Sequence, residues 1–83
     1  MLIIKGIEKI ISKKDGKEYA KLHLIDEDII NDDKFSGQSV TQEFVDIKDC
    51  DIDGELKLGA RVRIFKETDK RGFDKTTFVK VFE

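Results

Sequence analysis

The sequence predicts an all-β fold, in which five short strands form one small barrel over residues 1–83. Apolar and polar residues alternate over several short stretches, which is the period of a strand that buries one face. Turn-forming residues, Asp-Gly pairs among them, separate these stretches. A chain of 83 residues can bury one core and no more. Short strands without a convincing long helix therefore indicate a single all-β domain.

Residues Leu2–Ser12 are predicted to form the first strand, with five isoleucines along it. Those at positions 3, 7 and 11 would fill one face of the pleat, whereas those at positions 4 and 10 fall on the other face. Either both faces are covered or a bulge near Gly6 resets the register, as curved barrel strands often require. A helix is the competing assignment because the isoleucines also match helical spacing, but their density and the internal glycine favour a strand.

The pair Asp15-Gly16 predicts a tight turn, because glycine readily supplies the positive φ that such a turn needs. The second strand, Glu18–Asp26, then alternates. Its predicted core face carries Ala20, Leu22 and Leu24. Its outer face carries Tyr19, Lys21, His23 and Ile25. A ring and cations on one face can follow a nucleic-acid strand by base stacking and phosphate contact, although an ordinary solvated face has a similar composition.

An acidic stretch, residues 26–36, is predicted to be a loop. Its apolar residues would plug the end of the barrel, since they would otherwise be left in water: Ile29, Ile30 and Phe35. The third strand is predicted over Gln38–Asp46, with Val40 and Phe44 on one face. A second acidic connection, residues 46–55, follows it and is predicted to be a loop with a turn.

A hairpin over Arg61–Phe82 is predicted to supply the last two strands, with a polar tip at Lys66–Lys75. Phe73 lies in that tip, where its ring cannot easily reach the core of its own hairpin. The ring is therefore expected to pack against a loop, a second subunit or a ligand. Five strands in a chain of this length favour an OB-type barrel with two protruding hairpins, and an SH3-like barrel is the near alternative.

Charge is distributed unevenly along the chain, whose net charge is −2. Residues 1–25 carry a net charge of +3, residues 26–55 carry −9 and residues 56–83 carry +4. Two basic thirds thus flank an acidic middle. This arrangement predicts a basic side and an acidic side if the outer thirds meet in space, and a mixed solvated surface if they do not.

Composition argues against several classes of protein. The only cysteine, Cys50, cannot form an internal disulfide, so the chain fits a reducing compartment and is expected to be cytoplasmic. The apolar residues 1–4 are too few for a signal peptide or a membrane span.

Cysteine, histidine and the carboxylates lack the spacing of a metal site, so no metal or other cofactor is expected. The single histidine, His23, has no nucleophile at plausible spacing, and an enzyme is therefore not expected.

Two stretches carry a resemblance to a known family: Gly16-Lys17-Glu18-Tyr19, which opens the second strand, and Phe65-Lys66, which leads to the tip Gly72-Phe73. With them the chain resembles, over most of its length, the single-stranded DNA-binding proteins of filamentous phages. The order of elements is similar, from a basic first hairpin through a long middle connection to a second hairpin with a phenylalanine tip. The chain departs from the family where Thr41, Gln42 and Glu43 replace further tyrosines, and its middle is longer and more acidic.

The resemblance implies an OB-type barrel, a two-fold dimer joined through the Lys66–Lys75 hairpin, and cooperative, sequence-independent coating of single strands. It implies that Tyr19 stacks on a base and that Phe73 does so from the partner subunit. Basic residues would meet the phosphates. The candidate nucleic-acid-binding residues are Lys14, Lys17, Tyr19, Lys21, Arg71, Phe73 and Lys80.

Two functions of different classes remain open. The leading one is a non-enzymatic single-stranded DNA-binding protein that acts in replication or transfer of phage or mobile-element DNA. RNA is an alternative ligand, and the acidic segment is a candidate contact for a replication-protein partner. The other function is a small β-barrel module that docks onto a protein through a strand edge or through Phe73, without binding nucleic acid. The salt dependence of the binding affinity distinguishes the two functions. Phosphate contacts release counterions, so the affinity of a nucleic-acid-binding protein falls steeply as the salt concentration rises, whereas that of a protein-docking module does not.

Overall fold

The computed structural model describes residues 1–82 and contains six strands. They are β1 (Leu2–Ile11), β2 (Glu18–Asn31), β3 (Ser36–Asp46), β4 (Asp51–Asp53), β5 (Arg61–Thr68) and β6 (Asp74–Phe82). No described residue lies in a helix. The all-β prediction is confirmed.

All six strands belong to one open sheet, in the order β3-β2-β1-β5-β6-β4. Each pairing is antiparallel except that of β4 with β6, which is parallel. The predicted number of five strands is wrong, because Asp51–Asp53 forms a strand within the second acidic connection. Its pairing partner lies more than twenty residues later in the chain, around Val79, so no local pattern reports it.

Alternate residues of β2 form the centre of the core. Ala20, Leu22 and Leu24 are buried, as predicted. The described core cluster comprises Ile4, Ala20, Leu22, Leu24, Val45, Cys50, Ala60, Val62 and Val79. It takes side chains from β1, β2, β3, β5 and β6, so one core serves the whole sheet.

A bulge in β1 explains why its isoleucines do not all fall on one face of a regular strand. The register with β2 shifts between Ile4 and Gly6, which is one of the two alternatives that the sequence left open. Ile4 is fully buried before the shift, and Ile7 packs against the core after it. Ile11 is exposed, so its predicted place on the filled face is wrong: the strand has run beyond the core by that point.

The acidic stretch 26–36 is not a loop but the outer end of a hairpin formed by β2 and β3, here called the acidic arm. Its turn is tight because the Asp32 carboxylate accepts hydrogen bonds from the backbone N–H groups of Lys34, at 2.8 Å, and Phe35, at 2.7 Å. The Ile29 side chain is 75% exposed, and Ile30 and Phe35 are exposed as well. The predicted plugging of the barrel end by these residues is therefore wrong, because continued strand pairing carries them away from the core.

The β5–β6 hairpin has longer arms and a shorter tip than predicted, since strand pairing continues as far as Thr68 and Asp74. The Asp69 carboxylate closes the tip by accepting hydrogen bonds from the N–H groups of Arg71, at 2.8 Å, and Phe73, at 3.0 Å. Phe73 is 68% exposed, as expected for a ring that cannot reach the core of its own hairpin.

Candidate nucleic-acid interface

A cleft of about 370 Å³ lies where β3 approaches β6. Within residues 1–82, no backbone pairing joins these two strands, and we call this junction the seam. The lining residues of the cleft are Lys17, Tyr19, Glu43, Phe44, Asp46, Asp74, Lys75 and Thr76. Two aromatic rings and two lysines therefore share a concave surface with three carboxylates.

The register of β2 against β3 positions the two rings. Tyr19 lies opposite Asp46, and two residues further along Lys21 lies opposite Phe44, so all four side chains project from the same face of the sheet. The Lys21 Nζ atom lies 5.6 Å from the centroid of the Phe44 ring, within cation–π distance. Phe44 remains 54% exposed and can accept a further flat partner on its ring.

Tyr19 lines a second cleft as well, of about 280 Å³. The other residues of this cleft are Lys9, Ile10, Ile11, Glu18 and Ile47. Ile11 and Ile47 are exposed, so apolar surface adjoins the tyrosine on the side away from Phe44. A ring that lies between two clefts is accessible from both.

Lys17 reaches the floor of the first cleft from the β1–β2 turn. Its Nζ atom lies 3.4 Å from Asp49 Oδ2 and 3.8 Å from Asp46 Oδ2. The hydrogen bond to Asp49, together with the charge of Asp46, raises the pKa of Lys17 above its ordinary value. The lysine is therefore fully charged at neutral pH.

Asp46 is buried at the base of the cleft. Burial by itself would raise its pKa, but the backbone N–H groups of Lys48 and Asp49 and the charge of Lys17 more than offset it. The pKa of Asp46 is thus held below its ordinary value. An ionised carboxylate in this place positions Lys17 and also competes with any anion that approaches it.

The turn that carries Lys17 is shaped by its neighbours. Gly16 has a φ of 70°, which confirms the predicted use of the Asp15-Gly16 pair. The Asp15 carboxylate accepts a hydrogen bond from the Lys17 N–H at 3.0 Å, and this bond lowers the pKa of Asp15. Lys14 is exposed in the same turn.

Charge in the cleft is mixed. The Glu43 carboxylate is paired with Lys66 at 2.7 Å, and the Asp74 carboxylate accepts a hydrogen bond from the Thr68 hydroxyl at 2.8 Å. These carboxylates have partners within the protein, but they keep the cleft from being uniformly basic. Phosphates would therefore contact the more exposed lysines at the edge of the cleft.

The structure groups some predicted site residues and separates others. Lys17, Tyr19 and Lys21 come together around the cleft, and the tip that carries Arg71 and Phe73 begins beside it, because Asp74 is a lining residue. Lys80 lies apart from this group. It is opposite Arg63 on the β5–β6 face, and its Nζ atom is 5.3 Å from the centroid of the Phe82 ring.

Of the eight residues that line the cleft, sequence reasoning predicted only Lys17 and Tyr19, and the missed residues include an aromatic ring, Phe44, and a cation, Lys75. The alternation of β3 places Phe44 on a defined face, but only the register against β2 reveals that Lys21 is its neighbour. Lys75 is predicted to end a hairpin tip, whereas it lies within β6. Knowledge of the register would have been needed for both.

Cys50 and His23 do not line the cleft. Burial, followed by the charges of Asp51 and Asp46, raises the pKa of the Cys50 thiol above its ordinary value. His23 Nε2 lies 2.5 Å from Glu8 Oε1, and its Nδ1 lies 3.3 Å from the Gln42 amide nitrogen. Among residues 1–82, no group of three or more His, Cys, Asp or Glu side chains is placed to hold a metal ion.

Comparisons of the chain with protein-family models, with curated proteins and with solved structures find no match. In the part of the chain that the structure describes, no helix is long and apolar enough to cross a membrane.

Proposed function

We propose that this protein is a non-enzymatic, sequence-independent single-stranded DNA-binding protein. The observation that carries the proposal is the cleft at the seam, where Tyr19 and Phe44 are flanked by Lys17, Lys21 and Lys75. Aromatic rings that stack on bases, beside cations that meet phosphates, are the means by which proteins hold single strands without reading their sequence.

The order in which the strands pair supports the assignment of the fold as an OB-type barrel. β1 pairs with both β2 and β5, and β5 pairs with β6, while β3 approaches β6 across the seam. If β4 is regarded as an addition to the edge of β6, the other five strands follow the connectivity of a partly open five-stranded barrel. In barrels of this type the face of the second and third strands and two adjoining loops bind oligonucleotides. Tyr19 and Phe44 lie on that face, and the Lys17 turn and the Phe73 tip adjoin it.

Binding to fluorescein-labelled oligo-dT, followed by anisotropy at low salt, tests the proposal. We expect affinity for the single strand and much weaker affinity for a duplex, because paired bases cannot stack on Tyr19 and Phe44. If three or four lysines meet phosphates, the slope of log affinity against log salt is expected to be about −2 to −3. Failure to bind any single strand at low salt would refute the proposed function.

Phe73→Ala is expected to weaken oligo-dT binding by about 1 to 3 kcal/mol, the usual size of one stacking contact. The ring is 68% exposed, so its removal leaves the fold intact. Phe65→Ala is the matched control, because Phe65 is an exposed ring on the same hairpin that packs on Phe78, with 5.5 Å between ring centroids, and lies within β5 instead of in the tip that begins beside the cleft. Equal affinities for Phe73→Ala and the unmodified protein would remove Phe73 from the interface.

A further inference from the structure

His23 lies on the same face of β2 as Tyr19 and Lys21, and its ring is held from both sides. Its Nε2 atom lies 2.5 Å from Glu8 Oε1 on β1, and its Nδ1 atom lies 3.3 Å from the Gln42 amide nitrogen on β3. The Gln42 amide donates to Nδ1, so the ring proton is on Nε2 and is donated to Glu8. Hydrogen bonds to two neighbouring strands therefore fix the orientation of the imidazole before a ligand arrives.

The bulge in β1 provides the space that the ring occupies. It places Gly6 opposite His23, and a Cβ atom on Gly6 would lie only 3.3 Å from His23 Cδ2. A larger side chain at this position would displace the imidazole. An aromatic ring that covers a glycine on a facing strand is one means of stabilising a sheet. This packing fixes the place of the ring whether or not a ligand is bound.

The exposed part of His23 can offer a ligand only the surface of its ring, because both nitrogens are engaged. The side chain is 30% exposed, and histidine is among the aromatic residues on which unpaired bases stack. Glu8 would repel a phosphate, but it is bonded to His23 and lies opposite Lys21 in the register of β1 with β2. Lys5, the extra residue of the bulge, is an exposed cation on the same stretch of β1. This surface therefore suits a base with a phosphate beside it.

We propose that the ring of His23 stacks on a base of the bound single strand, as a third platform beside Tyr19 and Phe44. The inference rests on the proposed function and adds the path of the strand, which runs along β2 from Tyr19 to His23. The group of side chains that joins β1, β2 and β3 is then also part of the interface.

The spacing of the three rings matches that of unstacked nucleotides. The rings belong to successive rows of the β2–β3 pairing, which are Tyr19 with Asp46, Lys21 with Phe44, and His23 with Gln42. Side chains two residues apart on one face of a strand are about 6.8 Å apart. Stacked bases of one strand are about 3.4 Å apart, so a ring between two bases brings their separation to about 6.8 Å as well. The three rows therefore provide for about three nucleotides.

Proton NMR of the unmodified protein tests the stacking directly. The chain contains one histidine, so the ring protons of His23 can be identified without assignment of the whole spectrum. Titration with oligo-dA at constant pH is expected to move the carbon-bound ring protons upfield, because the face of a purine shields protons stacked against it. Anisotropy under the same conditions gives the fraction bound. Ring protons that stay in place at saturation, or that move downfield, would overturn the proposal.

Two substitutions separate the ring from its hydrogen bonds. His23→Ala removes both and is expected to weaken oligo-dT binding about 5- to 140-fold, the equivalent of one stacking contact. His23→Phe keeps a ring over Gly6 without either hydrogen bond and is expected to bind nearly as tightly as the unmodified protein. Circular dichroism checks that both variants fold. Equal losses for the two variants would assign His23 a structural role only, and unchanged affinity of His23→Ala would remove it from the interface.

The outcomes separate this inference from the proposed function. If oligonucleotides bind without any change at His23, the third platform is overturned and the cleft at the seam is still the site. Absence of binding to every single strand overturns both, since no base is then present to stack.

Discussion

Replacement of both Tyr19 and Phe44 by alanine is expected to weaken the binding of oligo-dT by about 2 to 6 kcal/mol, since each base-stacking contact contributes about 1 to 3 kcal/mol. Both rings line the cleft at the seam, and Phe44 also lies under the Lys21 ammonium, which would lose its cation–π partner. Fluorescence anisotropy over a range of protein concentrations measures the loss. A double variant that binds as tightly as the unmodified protein would show that the strand does not use this cleft.

Two controls accompany this variant. Phe35→Ala removes an exposed ring from the acidic arm, away from the cleft, and is expected to leave affinity unchanged. Tyr19→Phe keeps the ring and removes only the hydroxyl group, so binding is expected to stay close to normal if stacking is the interaction that matters. A large loss for Tyr19→Phe would assign the contact to the hydroxyl group instead.

Gly54→Ala is expected to lower the free energy of unfolding by about 2 to 5 kcal/mol, from backbone strain and from overpacking. Gly54 has a φ of 110°, which L-residues rarely adopt, and a Cβ atom on it would lie 2.7 Å from Val81 Cβ. The glycine follows β4 and allows that strand to pack against β6. Urea denaturation monitored by circular dichroism measures the change, and a loss of this size is a large fraction of the stability of a small domain.

Gly37→Ala is the matched control for this measurement. Gly37 has a φ of 128°, but a Cβ atom on it would meet no described atom within 4 Å beyond its chain neighbours. Its replacement therefore reports backbone strain alone, for which we expect about 1 to 3 kcal/mol. If Gly54→Ala and Gly37→Ala lower the free energy of unfolding by the same amount, crowding against Val81 does not contribute.

The parts of the fold that could be predicted are those with local signals. The turn at Asp15-Gly16 and the buried face of β2 follow from residues that are neighbours in sequence, because glycine sets the turn and alternation sets the face. The exposed ring of Phe73 is predictable for the same reason, since a ring in a short polar tip has no core within reach.

The acidic arm could not be predicted from composition. Its residues are acidic, which is typical of a loop, yet strand pairing continues through Ile29 and Ile30 because β3 supplies partners at Gln38 and Gly37. Pairing satisfies the backbone whatever the side chains are, and the charges remain in water. The two isoleucines are exposed as a result, where burial was expected.

The composition of the candidate site also depends on register. Lys17, Tyr19 and Lys21 are close in sequence and could be grouped in advance, whereas Phe44 joins them only through the pairing of β2 with β3. Lys80 shows the opposite effect, because the β5–β6 pairing places it beside Arg63, on another face. Residues far apart in sequence can be assigned to one site only when their pairing is known.

Within residues 1–82, the seam between β3 and β6 leaves the two walls of the cleft without backbone hydrogen bonds between them. Strands joined by a hydrogen-bonded ladder keep a fixed spacing of about 4.8 Å, whereas two strands that meet through side chains are free to separate slightly. The walls of the cleft belong to different sides of this junction, since Phe44 lies on β3 and Lys75 on β6. If the protein binds single strands as we propose, a junction of this kind would admit purines and pyrimidines alike, and tolerance of base size would then be a property of the sheet and not of any single side chain.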